Sequence, residues 1–395
     1  IPDNAVRLRR IANMGQIIQS HALSFFHLSS PDFLLGFDAD PAMRNVFGLM
    51  EAEPELARRG IRLRGFGQSV IESIAGRKVH SPGIVPGGIA EPMTEETRLE
   101  LLGGLDEAFE TATIALELFV KMLDGFEREV RAFGEFPSYF LALANDSGTW
   151  EHYDGHLKVI DSAGDIAADG VPVSEYRSLV GEASNVDSYL KSPYFKPAVA
   201  DDDPITDGMY RVGPLARVNM ATAMGSPSAD AAQAEFKNRA DGIATSSFFF
   251  HYARLIEVLA CTEQMRTLLE HDHVTDAMVR ASGGVNHRRA VGASEAPRGT
   301  LFHEYHVDAN GILDDVNMII ATGQNNLAMN ATVHQIAKEW IDGPEIPEGI
   351  LNRVEAGIRA FDPCLSCSTH AIGQMPLVVT LVDSAGETVC ERIRG

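Results

Sequence analysis

A chain of 395 residues, 45% of them hydrophobic, can bury a large core in one domain or two. Its formal net charge of −22 argues against nucleic acid and anionic membrane surfaces as partners, since both would repel it. Four cysteines (Cys261, Cys364, Cys367 and Cys390) make no disulfide framework and point to a reducing, cytoplasmic compartment.

The chain opens on Ile1-Pro2-Asp3, with no basic leader and no apolar signal core, and reads as truncated just before a helix. Asp3 or Asn4 is expected to cap a helix running to about Leu28. Leu8, Ile11, Met14, Ile18, His21 and Phe25 share one of its faces. Ser29-Ser30-Pro31-Asp32 is expected to end it. Further helical patterns cover residues 41–50, 54–75, 94–133, 229–237, 246–270, 326–341 and 348–360. Several are long without heptad regularity, which predicts a bundle of mutually buried helices. Three β-hairpin patterns interrupt them, at 157–168 around Asp161-Ser162-Ala163-Gly164, 301–320 around Asp308-Ala309-Asn310-Gly311, and 377–393 around Asp383-Ser384-Ala385-Gly386. The similar turn phrases predict shared turn chemistry, not repeats. The expected fold is therefore mainly α (α+β), a bundle of long helices with peripheral hairpins. No linker divides it, and Asp201-Asp202-Asp203-Pro204 reads as a solvated loop. No stretch approaches the roughly 18 apolar residues of a membrane span, so a soluble protein is expected.

The nonapeptide Asp362-Pro363-Cys364-Leu365-Ser366-Cys367-Ser368-Thr369-His370 follows the last of these helices. Two thiols three residues apart can reach one metal from a single turn. A carboxylate precedes them, an imidazole follows, and Pro363 stiffens the entry. Alone, such a pair suits a structural zinc half-site, a dithiol redox couple or two buried thiols about equally. Soft sulfur beside acid–base groups suggests metal redox chemistry. Neither Cys261 nor Cys390 provides a companion pair.

Arg298 lies between Pro297, which fixes φ, and Gly299, which permits close backbone approach. That mount suits a guanidinium aimed into a site as well as it suits a surface turn. His303 and His306, three apart on a strand, point to opposite faces and cannot share an ion. His21 on its apolar stripe is expected to be a hydrogen-bonded core histidine. Gly65-Phe66-Gly67 follows no strand and lacks a third glycine, so it is no dinucleotide fingerprint.

Taken in order, Ser20-His21 through Pro31-Asp32, Val85-Pro86-Gly87-Gly88, Tyr210-Arg211-Val212-Gly213-Pro214-Leu215-Ala216-Arg217, Glu295 to Gly299, Ile319 to Asn326 and the nonapeptide form a set. Together they resemble the catalytic large subunit of nickel–iron hydrogenases, most nearly the soluble NAD-reducing type. The resemblance implies the nickel-dependent hydrogenase large-subunit fold and reversible heterolytic cleavage of H2 at a Ni-Fe centre whose iron carries two cyanides and a carbon monoxide. Cys364 would be a terminal thiolate on nickel and Cys367 a bridge to iron. Arg298 would hang over the open position, with Asp362 holding its orientation. Pro297 would wall the pocket and Thr322 would meet a cyanide. His370 and the backbone carbonyl of Met318 would bind a magnesium-type ion.

The same resemblance implies an iron–sulfur small subunit, diaphorase subunits carrying flavin and NAD, and nickel-insertion and endopeptidase maturation factors. No NAD, flavin or iron–sulfur cluster is expected in this chain. Residues 1–370 would be the catalytic domain and 371–395 a maturation peptide, cut between His370 and Ala371. The family's other Cys-x-x-Cys pair, its proton-relay glutamate and a carboxylate for the second ion would lie in a leading segment absent here. Another cytoplasmic hydrogenase, serving a deazaflavin or a heterodisulfide partner, is the neighbouring reading. The related quinone-module subunit of respiratory complex I lacks the thiolates, and a structural zinc protein is the non-enzymatic alternative.

Overall fold

The computed structural model describes residues 1–185, 188–199, 207–284, 287–364 and 377–394. The expected acidic loop at Asp201–Pro204 lies outside them. Helix α1 (Asp3–Ala22) is capped by neither Asp3 nor Asn4, because Pro2 flanks it and no side chain bonds its first turn. Asn4 is buried and donates instead to the carbonyls of Val274 (3.1 Å) and Asp276 (2.8 Å). Nor does Ser29-Ser30-Pro31-Asp32 stop the helix. A π-helical turn, Leu23–Ser29, leads directly into α2 (Ser30–Leu35). Pro31 falls in the first turn of α2, where its missing N–H breaks no helical bond.

The segment expected to be helical from 41 begins only at α3 (Val46–Ala52), where the Asn45 side chain accepts the N–H groups of Phe47 and Gly48. Helix α4 (Pro54–Ala75) follows, then a short ribbon of β1 (Ile84–Val85) and β2 (Gly88–Ile89). Thr94 caps α5 (Glu95–Leu123), which stops short of the expected Phe133. The chain turns at Gly125, and Phe126 plugs into an aromatic cluster 5.6–5.9 Å from Phe33, Phe37 and Phe248. Helix α6 (Glu127–Ala132) restarts beyond it. The remaining helices are α7 (Pro214–Met220), α8 (Pro227–Arg239), α9 (Phe250–Leu269), α10 (Ala321–Gln324), α11 (Asn326–Trp340) and α12 (Glu348–Ala360).

Each expected hairpin forms, and two recruit strands that the sequence concealed. Strands β3 (Tyr139–Ala144), β4 (His156–Ile160), β5 (Ile166–Val171) and β8 (Tyr210–Arg211) lie in the order β5-β4-β3-β8, with β3 and β8 parallel. Strands β6 (Val180–Asn185) and β7 (Ser188–Phe195) pair separately. Strands β9 (Arg289–Ala296), β10 (Gly299–Val307) and β11 (Leu313–Ile319) form an antiparallel sheet with β10 in the middle. Strands β12 (Leu377–Val382) and β13 (Thr388–Arg394) complete the set. Asp161, Asp308 and Asp383 each use Oδ1 to accept the N–H groups two and four residues on, at 2.8–3.0 Å. The glycine that follows in each turn has φ near +82 to +90°. This is the shared turn chemistry that the three phrases predict.

Helix α9 runs through the centre of the bundle and is buried on every side over its first four turns. Helices α1, α5, α7 and α8 pack against it, and α4 packs on α1 and α5, in one apolar core. A second cluster fills the space between the β3–β4 and β10–β11 strands, and a third lies under the β12–β13 hairpin. No described helix is long and apolar enough to cross a membrane.

The Gly65-Phe66-Gly67 motif serves this packing. A Cβ on Gly67 would lie 2.7 Å from the backbone of both Gly15 and Gln19 in α1, whereas one on Gly65 would meet nothing within 4 Å. Gly67→Ala should therefore destabilise by about 1–3 kcal/mol through overpacking. Gly65→Ala should be neutral or stabilising by up to about 1 kcal/mol. Thermal unfolding of the two variants checks this, and equal effects would contradict the packing assignment.

Candidate metal centre

Helix α12 ends at Ala360, and two residues later the chain takes a left-handed turn at Asp362 with φ +52°. Glycine or asparagine usually occupies that position, so an aspartate there marks a conformation held by its surroundings. The carboxylate meets an Nη of Arg298 at 3.2 and 3.4 Å, and Arg298 Nε donates to the Asp362 carbonyl at 2.5 Å. Two residues on, the Cys364 N–H donates to Thr322 Oγ1 at 3.3 Å. Thr322 itself sits in α10, directly after β11. Four residues chosen from three distant parts of the sequence thus converge. Burial raises the Asp362 carboxyl above its usual range, with the nearby charges of Arg298 and Arg254 opposing.

Behind this layer lies a fully buried ionic cluster that the sequence did not announce. Arg217 Nε and one Nη grip Glu257 at 2.5 and 2.7 Å, and the other Nη reaches Glu295 at 2.8 Å. Glu257 also accepts from Trp150 Nε1 and bonds His21 Nε2, both at 2.8 Å. Burial alone would raise the Glu257 carboxyl, yet the charge and bonds of Arg217, helped by His21, bring it down to about 2. His21 is pushed by burial to about 4 despite the pull of Glu257, so its ring is neutral and Nε2–H donates. This is the hydrogen-bonded core histidine that the apolar stripe predicts. Glu295 also accepts from the Leu143 N–H (2.8 Å) and the Thr300 hydroxyl (2.7 Å), which joins β3 to the β9–β10 hairpin.

Arg254, one turn before Glu257 on α9, donates to the Ala360 carbonyl at 2.6 Å and so supports the end of α12. A glutamate and an arginine inside the otherwise apolar run Tyr252–Cys261 were the available signal, because buried charges must be paired. Pro297 adjoins Arg298 at the tip of the β9–β10 hairpin. Met318 lies on β11 opposite His303, with its side chain half exposed. Cys367, His370 and Ala371 lie outside the described residues. His303 bonds the Tyr305 hydroxyl and His306 bonds buried Glu304, so the two rings go separate ways. Among the described residues no group of three or more His, Cys, Asp or Glu could hold a metal ion.

The model of the nickel-dependent hydrogenase family matches residues 158–370, more than half of the chain. This chain belongs to that family. It is 36% identical over 405 aligned positions to the beta subunit of the NAD-reducing hydrogenase HoxS of Cupriavidus necator, covering all of this chain and 82% of that protein. It is also 36% identical to the F420-non-reducing hydrogenase vhc protein of Methanococcus voltae, covering 96% of this chain and 80% of that one. A crystal structure of an NAD+-reducing nickel–iron hydrogenase in the H2-reduced state superposes with TM-score 0.89 at 40% identity, covering 94% of this chain and 81% of that one. The Ni-Fe-Se hydrogenase from D. vulgaris Hildenborough shares the fold at TM-score 0.72 and 20% identity, covering 94% and 83%. The protein is a hydrogenase large subunit with the expected fold, and it is an oxidoreductase acting on H2.

The family implies a nickel–iron centre, and the residues present fit one. A thiol on a loop fixed through Thr322, beside a guanidinium braced by a buried carboxylate, offers a soft ligand and a fixed cation to an electron-rich metal site. The cluster behind it sets a pH dependence. Because Glu257 sits at about 2, below its ordinary 4.5, its stabilising contribution is complete above pH 4.5 and fades as pH falls toward 2. Glu257→Gln should therefore be less stable at neutral pH, with the gap to wild type narrowing across that window. Denaturant midpoints measured from pH 5 to pH 2 check this, and a constant gap would contradict it.

Proposed function

We propose that this subunit cleaves H2 reversibly and heterolytically, and that its electrons pass through an iron–sulfur small subunit to a diaphorase module carrying flavin and reducing NAD. The conjunction of Arg298–Asp362 with Thr322–Cys364 carries the catalytic part of this reading. The whole-chain similarity to an NAD-reducing subunit, and the 0.89 superposition on an NAD+-reducing enzyme, favour NAD as final acceptor. Relatives named F420-non-reducing hydrogenases, at similar identity, make a different acceptor the second reading. Purified complex that reduces NAD with H2 supports the first, and H2 oxidation that needs another acceptor overturns it.

When bound, the Ni-Fe centre, its iron ligated by two cyanides and one carbon monoxide, supplies the site at which H2 is polarised. Cys364 and Cys367 would hold it as thiolates, and the Thr322 hydroxyl, which accepts the Cys364 N–H, can turn its own proton toward a cyanide. Arg298 spends Nε and one Nη on Asp362, and its other Nη would serve the open position beside Pro297. A proton released there would rest on the Cys364 thiolate or be handled by the Arg298 fork. The Met318 carbonyl and the His370 ring would hold a magnesium-type ion.

Residues 371–395 would be a maturation peptide that an endopeptidase removes between His370 and Ala371 after nickel-insertion factors have acted. The reading places the enzyme in the cytoplasm, with no nucleic-acid or membrane partner.

Arg298→Lys should lower turnover by about 100-fold or more with nickel content unchanged, because an ammonium cannot reproduce the planar fork. Near-normal turnover would rule out its assigned role. Intact mass of the mature protein should end at His370, and a mature form that retained Gly395 would refute the processing.

A further inference from the structure

Arg217 has a second pair of contacts besides its carboxylates. A guanidinium carries five N–H groups, and here each one finds an acceptor. Nε and one N–H of each Nη go to Glu257 and Glu295, and the two left over reach the carbonyls of Ala296 (3.0 Å) and Pro297 (3.2 Å). Both carbonyls belong to the turn that carries Arg298.

That turn is not one of the favoured two-residue forms. Ala296 pairs with Gly299 across β9 and β10, so Pro297 and Arg298 alone form the loop. Two-residue hairpin loops favour type I′ or II′ turns, which require positive φ at the first loop residue. Proline fixes φ near −65° and forbids it. Arg298 is not a positive-φ residue either, and the positive φ falls instead on Gly299, at +139°. Gly213, just before α7 and one turn from Arg217, closes on the same tip. A Cβ there would stand 2.7 Å from the Arg298 carbonyl oxygen.

We propose that Arg217 is a positioning residue for Arg298: by holding the carbonyls of Ala296 and Pro297 it sets the direction in which the Arg298 guanidinium leaves the hairpin. The proposal rests on the role given to Arg298 above. It accounts for buried Glu257, because a cation that spends two donors on neutral carbonyls still needs one compensating charge, whereas burial pushes the Glu295 carboxyl up. It also gives the segment Tyr210–Arg217 its task, with Gly213 making room for the tip and Arg217 fastening it. Lysine offers three donors from one atom and cannot serve two carboxylates and two carbonyls together.

The test uses the assembled hydrogenase with Arg217→Lys, Arg298→Lys and the double variant, and Gly213→Ala, which crowds the same turn and also strains its own φ of +94° at the start of α7. Hydrogen exchange at the Gly299 amide should quicken about tenfold in Arg217→Lys and in Gly213→Ala, while β11 stays protected. Turnover should fall at least about tenfold in Arg217→Lys, yet by less than about threefold more when that change is added to Arg298→Lys. Unchanged exchange, or losses that multiply in the double variant, would overturn the proposal. If Arg217→Lys does not fold, Gly213→Ala alone decides by the same two readouts. Normal turnover in Arg298→Lys would sink the catalytic reading of Arg298, whereas the exchange data would still judge the positioning.

Discussion

The buried ion pair between Arg217 and Glu257 is the constraint around which the molecule is organised. Neither residue can leave water without the other, and removing one partner of such a pair costs about 3–5 kcal/mol. The pair therefore fixes where α7 and α9 meet. Through His21 it fixes α1, through Trp150 the loop after β3, and through Glu295 the β9–β10 hairpin. Five segments far apart in sequence are registered against one guanidinium. That registration reaches the turn that carries Arg298.

The site in front of it follows from two local departures from regular structure. Asp362 adopts a left-handed conformation at the end of α12, which brings its carboxylate and its carbonyl onto Arg298. Pro297 and Arg298 form a two-residue hairpin loop without the positive φ that such loops favour. Each departure is unfavourable alone, and each is held by a partner from another part of the chain. Strain confined to functional positions and supported by a rigid scaffold is the usual arrangement for a preorganised site.

Much of this was legible in the sequence, and the failures have physical causes. The long helices show because apolar residues recur with helical period, and the three hairpins show because Asp and Gly announce their turns. Strand β3 was missed because Tyr-Phe-Leu-Ala-Leu-Ala is apolar without alternation, as a strand buried on both faces must be. Strand β9 was missed because small residues and an internal glycine weaken its pattern. The end of the first helix was misplaced because a proline reads as a stop, whereas Pro31 begins the helix that continues it. Arg298, Asp362, Cys364 and Thr322 could be named from their motifs, and the structure brings them together. The cluster of Arg217, Glu257 and Glu295 could not, because pairing between α7, α9 and β9 exists only in three dimensions.

The proposed function depends on Arg298, braced by Asp362, facing a nickel–iron centre that the thiolates of the closing motif would hold. Anomalous scattering at the nickel and iron edges, measured on crystals of the assembled enzyme, tests that arrangement most directly. One nickel and one iron should lie side by side, with the Cys364 and Cys367 sulfurs on the metals and the Arg298 guanidinium turned toward them. A lone zinc at Cys364, or nickel and iron bound away from Arg298, would contradict it.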